Sequence, residues 1–163
     1  MTAHLYRART FPALFTRIGA TSVLTTAALA GTTLVPAMAT PAQASESLAM
    51  RAYHIAQSEK GAPFEWGANG PYGFDCSGLT QYAYGRAGGD IPRTAEEQYH
   101  HVLHIRPEHR RIGDLVFFHY GPNIYHVGFY AGRGRLLHAP KAGGVVRLER
   151  IWSHNVWYGR VDD

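Results

Sequence analysis

Cysteine occurs once in this 163-residue chain, as Cys76 in the run FDCSGLTQYAYG, and two of its ten histidines, His126 in HVGFYAG and His138 in RLLHAP, lie in strand-like segments downstream. A thiol, a histidine to take its proton and a second polar ring to orient that histidine are the groups that nucleophilic acyl transfer requires. In such a scheme Cys76 attacks a carbonyl and His126 removes the thiol proton or pairs with the thiolate. His138 accepts a hydrogen bond from the far nitrogen of His126, and water then hydrolyses the acyl-enzyme. A free cysteine is more commonly a small apolar filler, so the chemical reading depends on what the fold brings to Cys76.

Asp75 is a favoured helix N-cap residue and places Cys76 in the first turn of a helix running to about Arg86, where free backbone N–H groups favour thiolate over thiol. Asp75 opposes this as a neighbouring negative charge. Ser77 and Gly78 are small and leave that first turn open to a ligand. The histidines are placed by a turn at Gly132, Arg133 and Gly134: a three-residue loop pairs Ala131 with Arg135, Gly128 with His138 and His126 with Pro140. The two rings then lie diagonally on one sheet face, about 7 Å apart at the backbone, with Cys76 above that face. Gly128 supplies no side chain to separate them.

The supporting elements follow from periodicity. Leu48 to Lys60 is an amphipathic helix ended by Gly61 and Pro63, and WGANGPYGF is a loop. Thr94 with Glu97 forms a capping box opening a short helix through about His101. From Asp114 the pattern turns to β in DLVFFHY, HVGFYAG, RLLHA, GVVRLERI and VWYGRV. Helices first and strands after describe an α+β domain, its N-terminal helices packed on a C-terminal antiparallel sheet of about five to six strands. Trp66, Phe117, Phe118 and Phe129 have the size to dominate its core.

Residues 1–44 read as a secretory signal peptide: Arg7, Arg9 and Arg17 precede an uncharged stretch from Ile18 to Val35, and A-x-A sites follow at Ala39 and Ala44. A transmembrane anchor is the competing reading, but the stretch is rich in Thr, Gly and Ala rather than Leu and Ile. Export implies a secreted or wall-associated protein, with residues 45–163 as one domain and no stable membrane insertion once the signal is removed. The whole chain carries 16 basic and 12 acidic side chains, but the signal holds three of the basic ones and no acid, leaving 13 against 12. The basic isoelectric point therefore gives no argument for a nucleic-acid partner. His100 and His104 have an i, i+4 spacing that could hold a metal, but no thiolate or H-E-x-x-H pattern accompanies them, and neither metal nor cofactor is expected.

FDCSGL, GDLVFF, HVGFYAG and LLHAP stand in the order and spacing of the NlpC family of peptidoglycan cysteine endopeptidases, which the chain resembles from about Leu48 to Val161. The resemblance implies a papain-like α+β fold with Cys76 as nucleophile, His126 as base and His138 as the third polar residue. It also implies bacterial peptidoglycan as partner and cleavage within the stem peptide, usually between D-γ-glutamyl and meso-diaminopimelate or lysine. Asp75 and Ser77 match the residues flanking the family nucleophile and would contact the free amine of L-alanine and the glutamyl carboxylate. Arg93, in IPRTAEEQ, matches a recurrent family position, with a structural role beside the third helix preferred.

Phe64, Trp66 and Arg93 are the further candidates for substrate contact, and Phe64 stands where the family commonly has a tyrosine, two residues before Trp66. It either forfeits a hydroxyl near the active site or fills a core slot while Tyr72 or another donor substitutes. Two other functions use the same residues: a thiol acyltransferase, amidase or lipid hydrolase with this triad, and a wall-binding module with weakened catalysis. A monomer is favoured.

Overall fold

The computed structural model describes residues 46–162, so the signal-peptide reading of residues 1–44 lies outside the described residues. Three helices come first. Helix α1, Leu48–Ser58, is capped by Ser47, which accepts from the Met50 N–H. Helix α2 is Cys76–Ala87, and α3, Ala95–His101, begins at the capping box of Thr94 and Glu97. Strands β1 (Leu103–Ile105), β2 (Leu115–Tyr120), β3 (Asn123–Tyr130), β4 (Arg135–His138), β5 (Arg147–Arg150) and β6 (Val156–Arg160) form one antiparallel sheet ordered β1-β6-β2-β3-β4-β5. The α+β architecture is the one expected.

Alternation along the strands gives the sheet two unlike faces. Leu115, Phe117, Val127, Phe129 and Leu137 point to the helices and pack with Leu79, Ala83 and Tyr84. On the other face, Val116, Phe118, Tyr130, Leu136 and Tyr158 form a second apolar cluster. The aromatic expectation holds for Phe117, Phe118 and Phe129, all fully buried, but Trp66 is 87% exposed and belongs to no core. Its loop carries glycines at positive φ, Gly67 and Gly70, and is tied to α2 by the Asn69 amide, which donates to Gln81 at 3.1 Å.

Two elements escape the sequence reading. Strand β1 and the short 3-10 helix Pro107–His109 occupy what reads as an irregular connection. Because α3 stops at His101, His104 lies on β1, where its ring stacks on Tyr99 at 4.2 Å, and the helical His100–His104 pair does not form. Strand β3 also begins three residues before His126. Its register against β2 passes from Phe118↔His126 to His119↔Ile124, which makes Tyr125 an extra residue, a β-bulge. Among the described residues, no helix is long and apolar enough to cross a membrane.

Candidate active site

Asp75 fixes the start of α2. Its extended backbone ends the preceding loop, and its Oδ1 accepts the Gly78 N–H at 2.7 Å. Cys76 is thereby the first helical residue, partly buried against the helix-side core. Phe64 packs against the same core, and with Trp66, Cys76, Arg93, Tyr125 and His126 it lines a cleft of about 740 Å³. The bulge at Tyr125 brings three consecutive residues of β3, Ile124 to His126, to the cleft wall. Tyr72 does not line it and is 88% exposed, so it is no substitute for a hydroxyl at Phe64.

The hairpin register is the one read from the turn. Phe129 pairs with Leu137 and Tyr130 with Leu136, and the Ala131 N–H donates to the Arg135 carbonyl at 2.9 Å. A side chain at position 128 would meet the Leu137 carbonyl at 2.8 Å and the His138 Cβ at 2.9 Å, so glycine there lets β4 and its histidine close on β3. The rings of His126 and His138 meet edge to face at 5.0 Å, joined from Nε2 of His126 to Nδ1 of His138 at 2.8 Å. Both histidines are buried. Trp152 lies against both, at 5.6 and 5.3 Å between ring centroids, and stacks on Phe118 at 4.1 Å.

Cys76 does not sit above the face that carries the histidines, as the sequence reading has it. Helix α2 packs on the opposite face, and Cys76 and His126 both line one cleft. The β3–β4 ladder spans only Phe129↔Leu137 and Tyr130↔Leu136; beyond its end, the Val127 N–H turns toward the Cys76 sulfur. With Nε2 of His126 bound to His138, Nδ1 is the nitrogen left for the cleft.

The electrostatics correct a second expectation. Burial pushes the Cys76 thiol up, with the Asp75 carboxylate adding to the rise, and outweighs the N–H groups of Val127, Ser77 and Cys76 itself that favour thiolate. Burial first, and His138 second, push His126 down to about 3. Both shifts favour the uncharged forms, a thiol and a neutral imidazole. Alkylation of Cys76 by iodoacetamide should accordingly rise with pH through a midpoint above that of a free cysteine; a midpoint below neutrality would show that a thiolate is already present.

Asp75 and Ser77 both line the cleft and both hold Arg93. Asp75 Oδ1 accepts from Gly78 N–H and Arg93 Nη1 (3.0 Å), and Oδ2 from Gly67 N–H (3.0 Å) and Arg93 Nη2 (2.5 Å). Ser77 Oγ also donates to Oδ1, at 3.4 Å. Burial alone would raise this carboxyl, but Arg93 and the backbone donors hold it below the usual range. Ser77 Oγ accepts from Arg93 Nη1 at 3.0 Å. Arg93 lines the cleft with them, its side chain 33% exposed against 11% for Asp75.

Glu149 went unnoticed in the sequence. Its Oε2 lies 3.1 Å from Nε2 of His138 and also meets Arg147. Among the described residues no cluster of three or more His, Cys, Asp or Glu is gathered as a metal would need.

The NlpC/P60 family model matches residues 61–161. The chain is 42% identical over 111 residues to the probable endopeptidase p60 of Listeria monocytogenes, covering 65% of this chain and 22% of that protein. It is 43% identical over 111 residues to the bifunctional muramidase/DL-endopeptidase CwlT of Bacillus subtilis, covering 63% and 33%. The chain thus spans about a fifth to a third of the length of these relatives. Among solved structures, the peptidoglycan hydrolase RipB of Mycobacterium tuberculosis superposes with a TM-score of 0.64 at 29% identity, over 71% of this chain and 65% of that one. RipD of the same organism, described as a non-catalytic NlpC/p60 domain protein adapted to peptidoglycan binding, gives 0.62 at 28% identity over 71% and 98%.

Proposed function

This chain belongs to the NlpC/P60 family, and from that premise we propose that it is an exported peptidoglycan endopeptidase that cuts the stem peptide after D-γ-glutamyl, before meso-diaminopimelate or lysine. Membership alone does not decide for catalysis, since RipD is a non-catalytic relative. The observation that carries the reading is the meeting of Cys76 and His126 in one cleft, with His138 bonded behind His126. CwlT, named a DL-endopeptidase, supports the choice of bond.

In this mechanism, Nδ1 of His126 removes the thiol proton as the sulfur attacks the glutamyl carbonyl. The imidazolium so formed is held by His138, and the tetrahedral oxygen draws on the free N–H groups of the first turn of α2. Protonated His126 then donates to the departing amine, and water releases the glutamyl product. Arg93 is the anchor for a substrate carboxylate, while Asp75 and Ser77 hold Arg93 in place. Because Arg93 and the Gly67 and Gly78 N–H groups already engage Asp75, the reading includes stems whose L-alanine is acylated. Residues 1–44 serve as the export signal, and peptidoglycan is the partner met outside the cell.

Mass spectrometry of stem peptides with free and with N-acetylated alanine, incubated with the wild-type protein and Cys76→Ala, tests this. Both substrates should be split after the γ-glutamyl residue by the wild type alone. Intact peptide together with co-sedimentation of the protein with cell walls would sink the peptidase reading in favour of binding.

A further inference from the structure

The relay behind Cys76 does not end at His138. His138 is 1% exposed, and both its ring nitrogens are engaged: Nδ1 with Nε2 of His126 at 2.8 Å, and Nε2 with the Glu149 carboxylate at 3.1 Å. An ionised carboxylate only accepts, so Nε2 of His138 must carry the proton and Nδ1 must be the acceptor. Nε2 of His126 is then the donor, which leaves Nδ1 of His126 unprotonated on the cleft side. One carboxylate thus sets the tautomers of two histidines in series.

We propose that Glu149 is a positioning residue of this active site, fixing the two histidines in the tautomers that present a bare nitrogen to Cys76, with Arg147 as its counterweight. The proposal rests on the peptidase reading for its kinetics but not for its geometry. Glu149 lies on β5 opposite Leu136, diagonal to His138, and β5 is an edge strand of the sheet. Its carboxylate is shared: Arg147 meets the same Oε2 through Nε at 3.0 Å and a terminal nitrogen at 2.9 Å. The groups facing His138 are His126 from β3, Glu149 and Arg147 from β5, and the Trp152 ring. Glu149 favours charge on His138 and Arg147 opposes it. An exposed Arg–Glu pair alone would stabilise little; the buried histidine is what gives this one a function.

The two neighbours should therefore act with opposite sign. Glu149→Gln keeps the shape but lets an amide hydrogen face His138. It should lower kcat for stem-peptide cleavage about 10- to 100-fold, the range of lost outer-shell partners, with KM within about twofold, and move the acid limb of the kcat profile to lower pH. Arg147→Ala should move that limb to higher pH. Glu149→Asp, which keeps the carboxylate, should recover part of the lost kcat. In the ¹⁵N spectrum of histidine-labelled protein, both His126 and His138 should be Nε2–H tautomers in the wild type, and His138 should become mixed in Glu149→Gln. A folded Glu149→Gln with wild-type kcat and an unchanged tautomer pattern overturns the proposal, as does a His138 Nδ1–H tautomer in the wild type. If the wild type cuts no stem peptide, the peptidase reading fails and the tautomers still decide for or against Glu149.

Discussion

His126→Ala is expected to lower kcat for stem-peptide cleavage by about 10³- to 10⁴-fold, at the upper end of what a positioned base contributes, while leaving a folded protein. The magnitude follows from the resting state. With the Cys76 thiol held up by burial and His126 held down to about 3, no preformed thiolate exists to carry residual reaction once the base is gone. Added imidazole, small enough for a cleft of about 740 Å³, should restore part of the rate. Stability supplies an independent measure. Between pH 6.5 and about 3 the unfolded chain binds a proton at His126 that the folded chain does not. The wild type must therefore lose stability as the pH falls through that window. Urea midpoints of His126→Ala should show a shallower decline from pH 7 to pH 4. Equal slopes would mean that His126 is not held neutral by the fold, and a kcat within tenfold of wild type would remove it as the base.

The parts of this site legible in the sequence are those governed by local rules. The Asp75 cap, the Thr94–Glu97 box and the glycine-flanked turn at Arg133 each act over a few residues, and each appears where the sequence places it. From that turn, counting outward gives the facing of Gly128 and His138, since strand side chains alternate strictly.

What the sequence hides depends on longer paths. Glu149 is separated from His138 by the connection from Ala139 to Val146, whose length does not specify register as a tight turn does. The bulge at Tyr125 breaks the alternation on which strand reading relies, and it shifts Ile124, which lines the cleft beside His126. Burial misled in the other direction. A helix start suggests a lowered thiol, but α2 packs Cys76 against the core, and desolvation outweighs the N–H groups that a helix start provides.

Gly78 shows how a correct residue can be singled out for the wrong reason, and it carries the second large effect. Its smallness beside Cys76 suggests room for a ligand, yet the space is filled by protein. A Cβ there would lie 2.1 Å from the Ala68 carbonyl oxygen, 3.0 Å from its carbon and 2.9 Å from Asp75 Oδ1. The crowding atoms are mostly backbone, and that Ala68 carbonyl accepts the Asp75 N–H at 2.9 Å. The loop cannot yield without loosening the cap that positions Cys76. Gly78→Ala should therefore cost about 3 kcal/mol or more, at the upper end of overpacking penalties, and should sever the Asp75–Gly78 bond that starts α2. Asp75 would then move with Arg93, so KM should rise together with a fall in kcat of at least about tenfold, the cost of about 1.4 kcal/mol in the transition state. A chemical-denaturation midpoint and kcat/KM, both measured on this variant, test the two arms. A stable, active Gly78→Ala would mean that the loop at Ala68 can withdraw, and that the start of α2 is not held by the contact drawn here.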